Sequence, residues 1–186
     1  MGGWKVTVAQ KHNLTFTIVF SVAGAMALTG CATEYHGYDS GIDGVLARKI
    51  ATFEDPLSED LFQPAENGPA AYLDALDGMR WDGSASSAAD LELDRGGIVL
   101  YDTVATDSSA KVAVFISSGP RQAVPTDENR TYTGPSQVYT CYTVEADFGS
   151  EPMPSPDRVM LDDCPPLLVE LLPDDAAFAS ADVFDG

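Results

Sequence analysis

The chain has 186 residues, is 45% hydrophobic, and sets 29 acidic side chains against 10 basic ones, a formal net charge of −19 at pH 7. That length supports one ordinary domain with a real core, and not comfortably two. A surface so acidic is repelled by phosphate backbones, which excludes nucleic acid as a partner and favours a solvated, exported domain.

The charge is unevenly placed. No Asp or Glu precedes Glu34, whereas Lys5 and Lys11 both lie in the opening stretch. Residues 1–13, "MGGWKVTVAQKHN", form a polar, positive n-region, and residues 14–30, "LTFTIVFSVAGAMALTG", an apolar h-region. This is the pattern of a signal peptide, too short and too poorly flanked for a permanent membrane span. Its end, Leu28-Thr29-Gly30-Cys31, resembles the lipobox of bacterial lipoproteins. The resemblance implies diacylglycerol on the Cys31 thiol, cleavage between Gly30 and Cys31, and palmitate-type acylation of the new N-terminus. Two or more acyl chains anchor stably where one would be marginal. The implied location is the outer side of a bacterial cell membrane, lipid-anchored and facing away from the cytoplasm. The resemblance covers residues 1–31 alone.

The chain has 3 cysteines, an odd count for an exported protein. With Cys31 lipidated, Cys141 and Cys164 are left as the one available disulfide in an oxidising compartment. Closing the loop between them would stabilise the fold by roughly 3 kcal/mol in the chain-entropy account.

Residues 31–43 read as the lipidated cysteine and a glycine-bearing tether. Ile42, Val45, Leu46, Ile50 and Phe53 then fall at helical spacing, with Asp43 placed to cap the start and Pro56 to end the segment. "PAAYLDALDGM" predicts a second helix, with Pro69 at its first position and Tyr72, Leu73, Leu76 and Met79 on one face. "DGSASSAAD" (82–90) reads as a flexible connector.

After it the hydrophobic period changes from helical to alternating. Strands are expected at 97–104, 111–117, 137–148 and 158–163, the first two as a hairpin. Along the third, Val138, Tyr142, Val144 and Phe148 share one face. Tyr139, Cys141, Thr143, Glu145 and Asp147 share the other, which reads as solvent-facing. "LLVELL" reads as a short helix, and residues 173–186 as an acidic, loosely ordered tail. The expectation is an α+β fold: a small antiparallel four-stranded sheet with two N-terminal helices on one face, spanning residues 44–172.

Enzyme signatures are scarce. His36 is the sole histidine after Cys31, and no GxSxG, HExxH, P-loop or GxGxxG sequence occurs. One histidine and two paired cysteines cannot make a zinc site. "DSGID" and "DALDG" lack the ligand alternation of a calcium loop, so no metal or other cofactor is expected. Paired carboxylates such as Asp102 with Asp107, or Glu145 with Asp147, would suffice for glycoside hydrolysis, but so many acids guarantee such pairs. Tyr132, Tyr139 and Tyr142 cluster around one strand and offer a possible binding surface. The sequence therefore favours a non-catalytic, membrane-anchored domain that binds or scaffolds an envelope protein or glycan. The alternative is an envelope hydrolase working through paired carboxylates.

Overall fold

A computed structural model describes residues 41–58, 67–121, 134–148 and 154–184. In chain order these form α1 (Ile42–Ser58), α2 (Pro69–Ala75), β1 (Met79–Arg80), α3 (Ala85–Ala88), β2 (Gly97–Ala105) and β3 (Ser109–Ser117). Then come β4 (Val138–Asp147), β5 (Ser155–Met160), α4 (Pro166–Val169), β6 (Ala177–Phe178) and a 3₁₀ turn (Ala181–Phe184).

The sheet is mixed and six-stranded, in the order β1-β2-β3-β4-β5, with β6 beside β4. This corrects the expected four-stranded antiparallel sheet. The β2-β3-β4-β5 meander is antiparallel, but β1 lies parallel to β2 and β6 parallel to β4. Each added strand is two residues long, too short for a period-2 pattern to register. β5 and β6 share the edge of β4 that β3 leaves open, β5 along 142–147 and β6 along 138–139.

Both faces of the sheet are covered. On one, Ile42, Leu46, Ile50, Phe53 and Leu57 of α1 and Tyr72 and Leu73 of α2 pack on Leu100, Val112, Val114, Ile116, Val138, Tyr142 and Val144. The spacing of those α1 residues is one stripe of a 3.6-residue helix, so the helix forms by burying it. On the other face Trp81, Ala88, Leu93, Leu168 and Leu172 cover Val99, Tyr101, Ala113, Phe115, Tyr139 and Cys141. The two N-terminal helices thus share one face, and the short α3 and α4 add a second covering layer on the other. The second layer escapes sequence reading because α3 and α4 are four residues each, and helices so short are made by caps and tertiary contacts, not by periodicity.

Local chemistry accounts for the details. α3 stands in the stretch read as a connector. Ser84 caps it by accepting from the Ser87 amide at 3.2 Å, and the Trp81 indole N–H donates to the Ser84 carbonyl at 2.9 Å. Asp82 accepts from the Ser87 hydroxyl and the Ser84 amide, and these hydrogen bonds, that from Ser87 foremost, hold its carboxyl down at about 2. Pro56 does not end α1; it sits inside the last turn, at the cost of the one backbone bond its nitrogen cannot donate. Asp43 lies within the first turn, on the favourable side of the helix dipole. Arg80 of β1 closes α2, its guanidinium donating to the carbonyls of Leu73 at 2.6 Å and Leu76 at 3.0 Å.

Two further contacts tie elements distant in sequence. Arg158 of β5 grips the carboxylate of Glu54 in α1 with two hydrogen bonds, that from Nε at 3.0 Å, while its guanidinium lies 5.1 Å from the Tyr142 ring centre. At the end of β3, the backbone turns at Gly96 and Gly119 press against each other. Both have positive φ, +71° and +77°, and a Cβ on Gly96 would stand 2.2 Å from the Gly119 nitrogen. The segment read as a loose tail carries β6 and the 3₁₀ turn, with Ala177, Ala179 and Ala181 buried and Asp175 accepting from the Ser136 hydroxyl at 2.6 Å.

Candidate functional site

Gly30, Cys31 and Tyr132 lie outside the described residues. Cys141 and Cys164 are joined as a disulfide, with a Cα–Cα separation of 5.6 Å. Cys164 follows β5 and precedes α4, so the bridge fastens the start of the second covering layer to the central strand.

Of the expected tyrosine surface, the two members among the described residues, Tyr139 and Tyr142, are buried. Tyr139 is 2% exposed and Tyr142 fully buried. Tyr139 stacks on Phe115 with ring centres 5.6 Å apart and meets the edge of Phe178. The face of β4 read as solvent-facing is covered by α4 and β6 as far as Cys141; Thr143 is also buried, and only its far end, with Glu145 and Asp147, emerges toward water. Glu145 there pairs with Lys111 across the strands at 2.6 Å, both side chains about half exposed. The alternation of β4 reflects chemistry at one end of the strand and burial at the other. Asp102 stands at the β2 bulge with φ of +47°, exposed, and is not among the residues that line the cleft described next.

The concavity that brings polar and apolar groups together lies where α1 passes the edge of the sheet. Lys49 and Thr52 of α1, Asp77 and Gly78 of the α2–β1 connection, Met79 of β1, and Gly97 and Ile98 of β2 line a cleft of about 480 Å³. That size falls within the range of small-molecule sites. Its cause is topological. β1 begins at Met79 opposite Val99, so Gly97 and Ile98 run on past it, and two glycines leave the wall thin. Ile98, on the α1 side of the sheet, supplies an apolar floor, Met79 a wall at the sheet edge, Lys49 an ammonium and Asp77 a carboxylate. The Thr52 hydroxyl donates back to the Arg48 carbonyl at 2.7 Å, leaving its oxygen free to accept.

Lys49 is the unusual member. Burial pushes its ammonium below the ordinary lysine value, yet among the described residues no carboxylate pairs with it. In a chain with 29 acids, a half-buried lysine would find a partner if packing were its whole task. Asp77 lines the same cleft and makes no ion pair with it. No signal in the sequence marks this site, because its residues come from three separate segments and none belongs to a motif.

A second concavity, of about 450 Å³, is walled by residues 91–95 and Leu171. Its carboxylates, Glu92 and Asp94, are exposed, as is Arg95, whose backbone carbonyl lies against Gly119. Among the described residues no three His, Cys, Asp or Glu side chains gather as a metal site, and no helix is long and apolar enough to cross a membrane. No family model matches the chain, and no curated protein or solved structure matches it either.

Proposed function

We propose that the protein is a lipid-anchored binding domain facing outward from a bacterial cell membrane. The observation that carries this reading is the use of the three cysteines. Cys141 and Cys164 are joined to each other, which leaves Cys31 as the one remaining thiol, directly behind Leu28-Thr29-Gly30. A disulfide suits an oxidising compartment, and a free nucleophilic sulfur after small residues is what lipid attachment needs. The binding role rests on the cleft beside α1, a preformed concavity with convergent charges over an apolar floor.

The test is metabolic labelling with radioactive palmitate in a bacterial host, with fractionation of the cells. The native chain should take up label and sediment with membranes, while Cys31→Ser should lose the label and leave the membrane fraction. Equal labelling of the two would refute the anchor.

A further inference from the structure

The cleft beside α1 presents one cation and one anion that do not neutralise each other. Lys49 reaches it from the helix, half-buried and without a carboxylate partner among the described residues; Asp77 reaches it from the connection into β1. Ile98 lines the same cleft from the α1 side of the sheet, with Met79 at the sheet edge and glycine backbone at Gly78 and Gly97. The native fold has therefore placed two opposite charges around one apolar pocket while leaving each available.

Charge decides which ligand such a pocket can take. The chain's net charge of −19 repels a simple anion long before it reaches Lys49, and a simple cation meets Lys49 itself. A neutral apolar molecule would leave the ammonium desolvated with nothing gained. A zwitterion carries no net charge to be repelled, and offers a carboxylate to Lys49 and an ammonium to Asp77. The cleft volume of about 480 Å³ accommodates a molecule of amino-acid size with room for its side chain against Ile98.

We propose that this cleft binds a small zwitterion of the amino-acid class, an ammonium and a carboxylate on a short apolar body. The inference deepens the binding role proposed above and is independent of the anchor. Lys49 receives the carboxylate, Asp77 the ammonium, and Ile98 the apolar side chain. The Thr52 oxygen accepts a second hydrogen bond from the ligand ammonium.

The test uses the full chain in detergent, titrated with three probes of matched shape: leucine, 4-methylpentanoate, which lacks the ammonium, and 3-methylbutylamine, which lacks the carboxylate. Binding is read by calorimetry and by amide chemical-shift mapping. Leucine should bind about tenfold more tightly than either truncated probe, with shifts centred on residues 49–52, 77–79 and 97–98. Lys49→Met and Asp77→Asn should each weaken leucine about tenfold, while Lys49→Arg retains most of the affinity. Near-native dispersion of the other amide signals shows that each variant is folded. Equal affinity for the three probes, no leucine binding up to saturation of the probe, unchanged affinity in the folded variants, or shifts mapping elsewhere would each overturn the proposal. Palmitate labelling at Cys31 is unaffected by any of these outcomes, so the anchor and the ligand fail separately.

Discussion

Replacing both bridge cysteines by alanine tests how the second layer is held to the sheet. Cys141 and Cys164 lie 23 residues apart, and the loop they close spans the end of β4, all of β5 and the turn into α4. Loss of that closure frees the unfolded chain by about 11 cal/mol/K, or roughly 3.4 kcal/mol at 25 °C in the chain-entropy account. Cys141 is fully buried, so removing its sulfur adds a small packing loss of the order of 1 kcal/mol. The combined cost is about 4 kcal/mol, a large share of the stability of an ordinary domain. Urea unfolding followed by tryptophan fluorescence, oxidised native chain against Cys141→Ala/Cys164→Ala, measures it directly. The midpoint should fall and the urea slope should rise, because the uncrosslinked unfolded state exposes more surface. Hydrogen exchange should show the slowest amides of β2–β4, which exchange through global unfolding, losing protection together by that same amount. A loss below about 1 kcal/mol, or protection in β2–β4 left unchanged, would refute this account of what the bridge does.

Three other outcomes follow from the packing. Arg158→Met should cost about 2–3 kcal/mol and Glu54→Gln less, with a double-mutant coupling of about 1–2 kcal/mol, because the pair is mostly shielded from water and Arg158 also faces the Tyr142 ring; additive single effects in chemical denaturation would contradict it. Gly96→Ala should cost about 3 kcal/mol or more, since its Cβ meets the Gly119 backbone, whereas Gly83→Ala, with positive φ but open space, should cost only about 1 kcal/mol; similar losses for the two would place the whole effect in φ. Burial raises the Tyr72 and Tyr101 hydroxyls to about 12. An ionised tyrosine is thus favoured in the unfolded chain, and stability present below pH 10 should drain away between pH 10 and 12. Ultraviolet titration of the folded protein should show a late-ionising class. Tyr101→Phe, which removes a buried hydroxyl with no hydrogen-bond partner among the described residues, should shrink that class without loss of stability at pH 7.

What the amino-acid sequence determines by itself is local and periodic. The amphipathic stripe of α1, Pro69 at the start of α2 and the alternation Val112, Val114, Ile116 against Ala113, Phe115 are each written in a dozen or fewer consecutive residues. The pairing of Cys141 with Cys164 is legible because cysteines are few and chemically exclusive. The tertiary structure decides what depends on segments meeting. Two-residue strands β1 and β6 exist only because β2 and β4 offer them an edge, and α3 and α4 only because a sheet face needs cover. Tyr139 shows the consequence: its alternation places it on the far side from α1, but whether that side meets water depends on α4 and β6, whose sequences carry no period. The cleft around Lys49 and Asp77 is of the same kind. A lysine's charge is evident from its letter, but its burial, and its place in one cleft with Asp77, arise only when a helix, a connection and a strand edge converge.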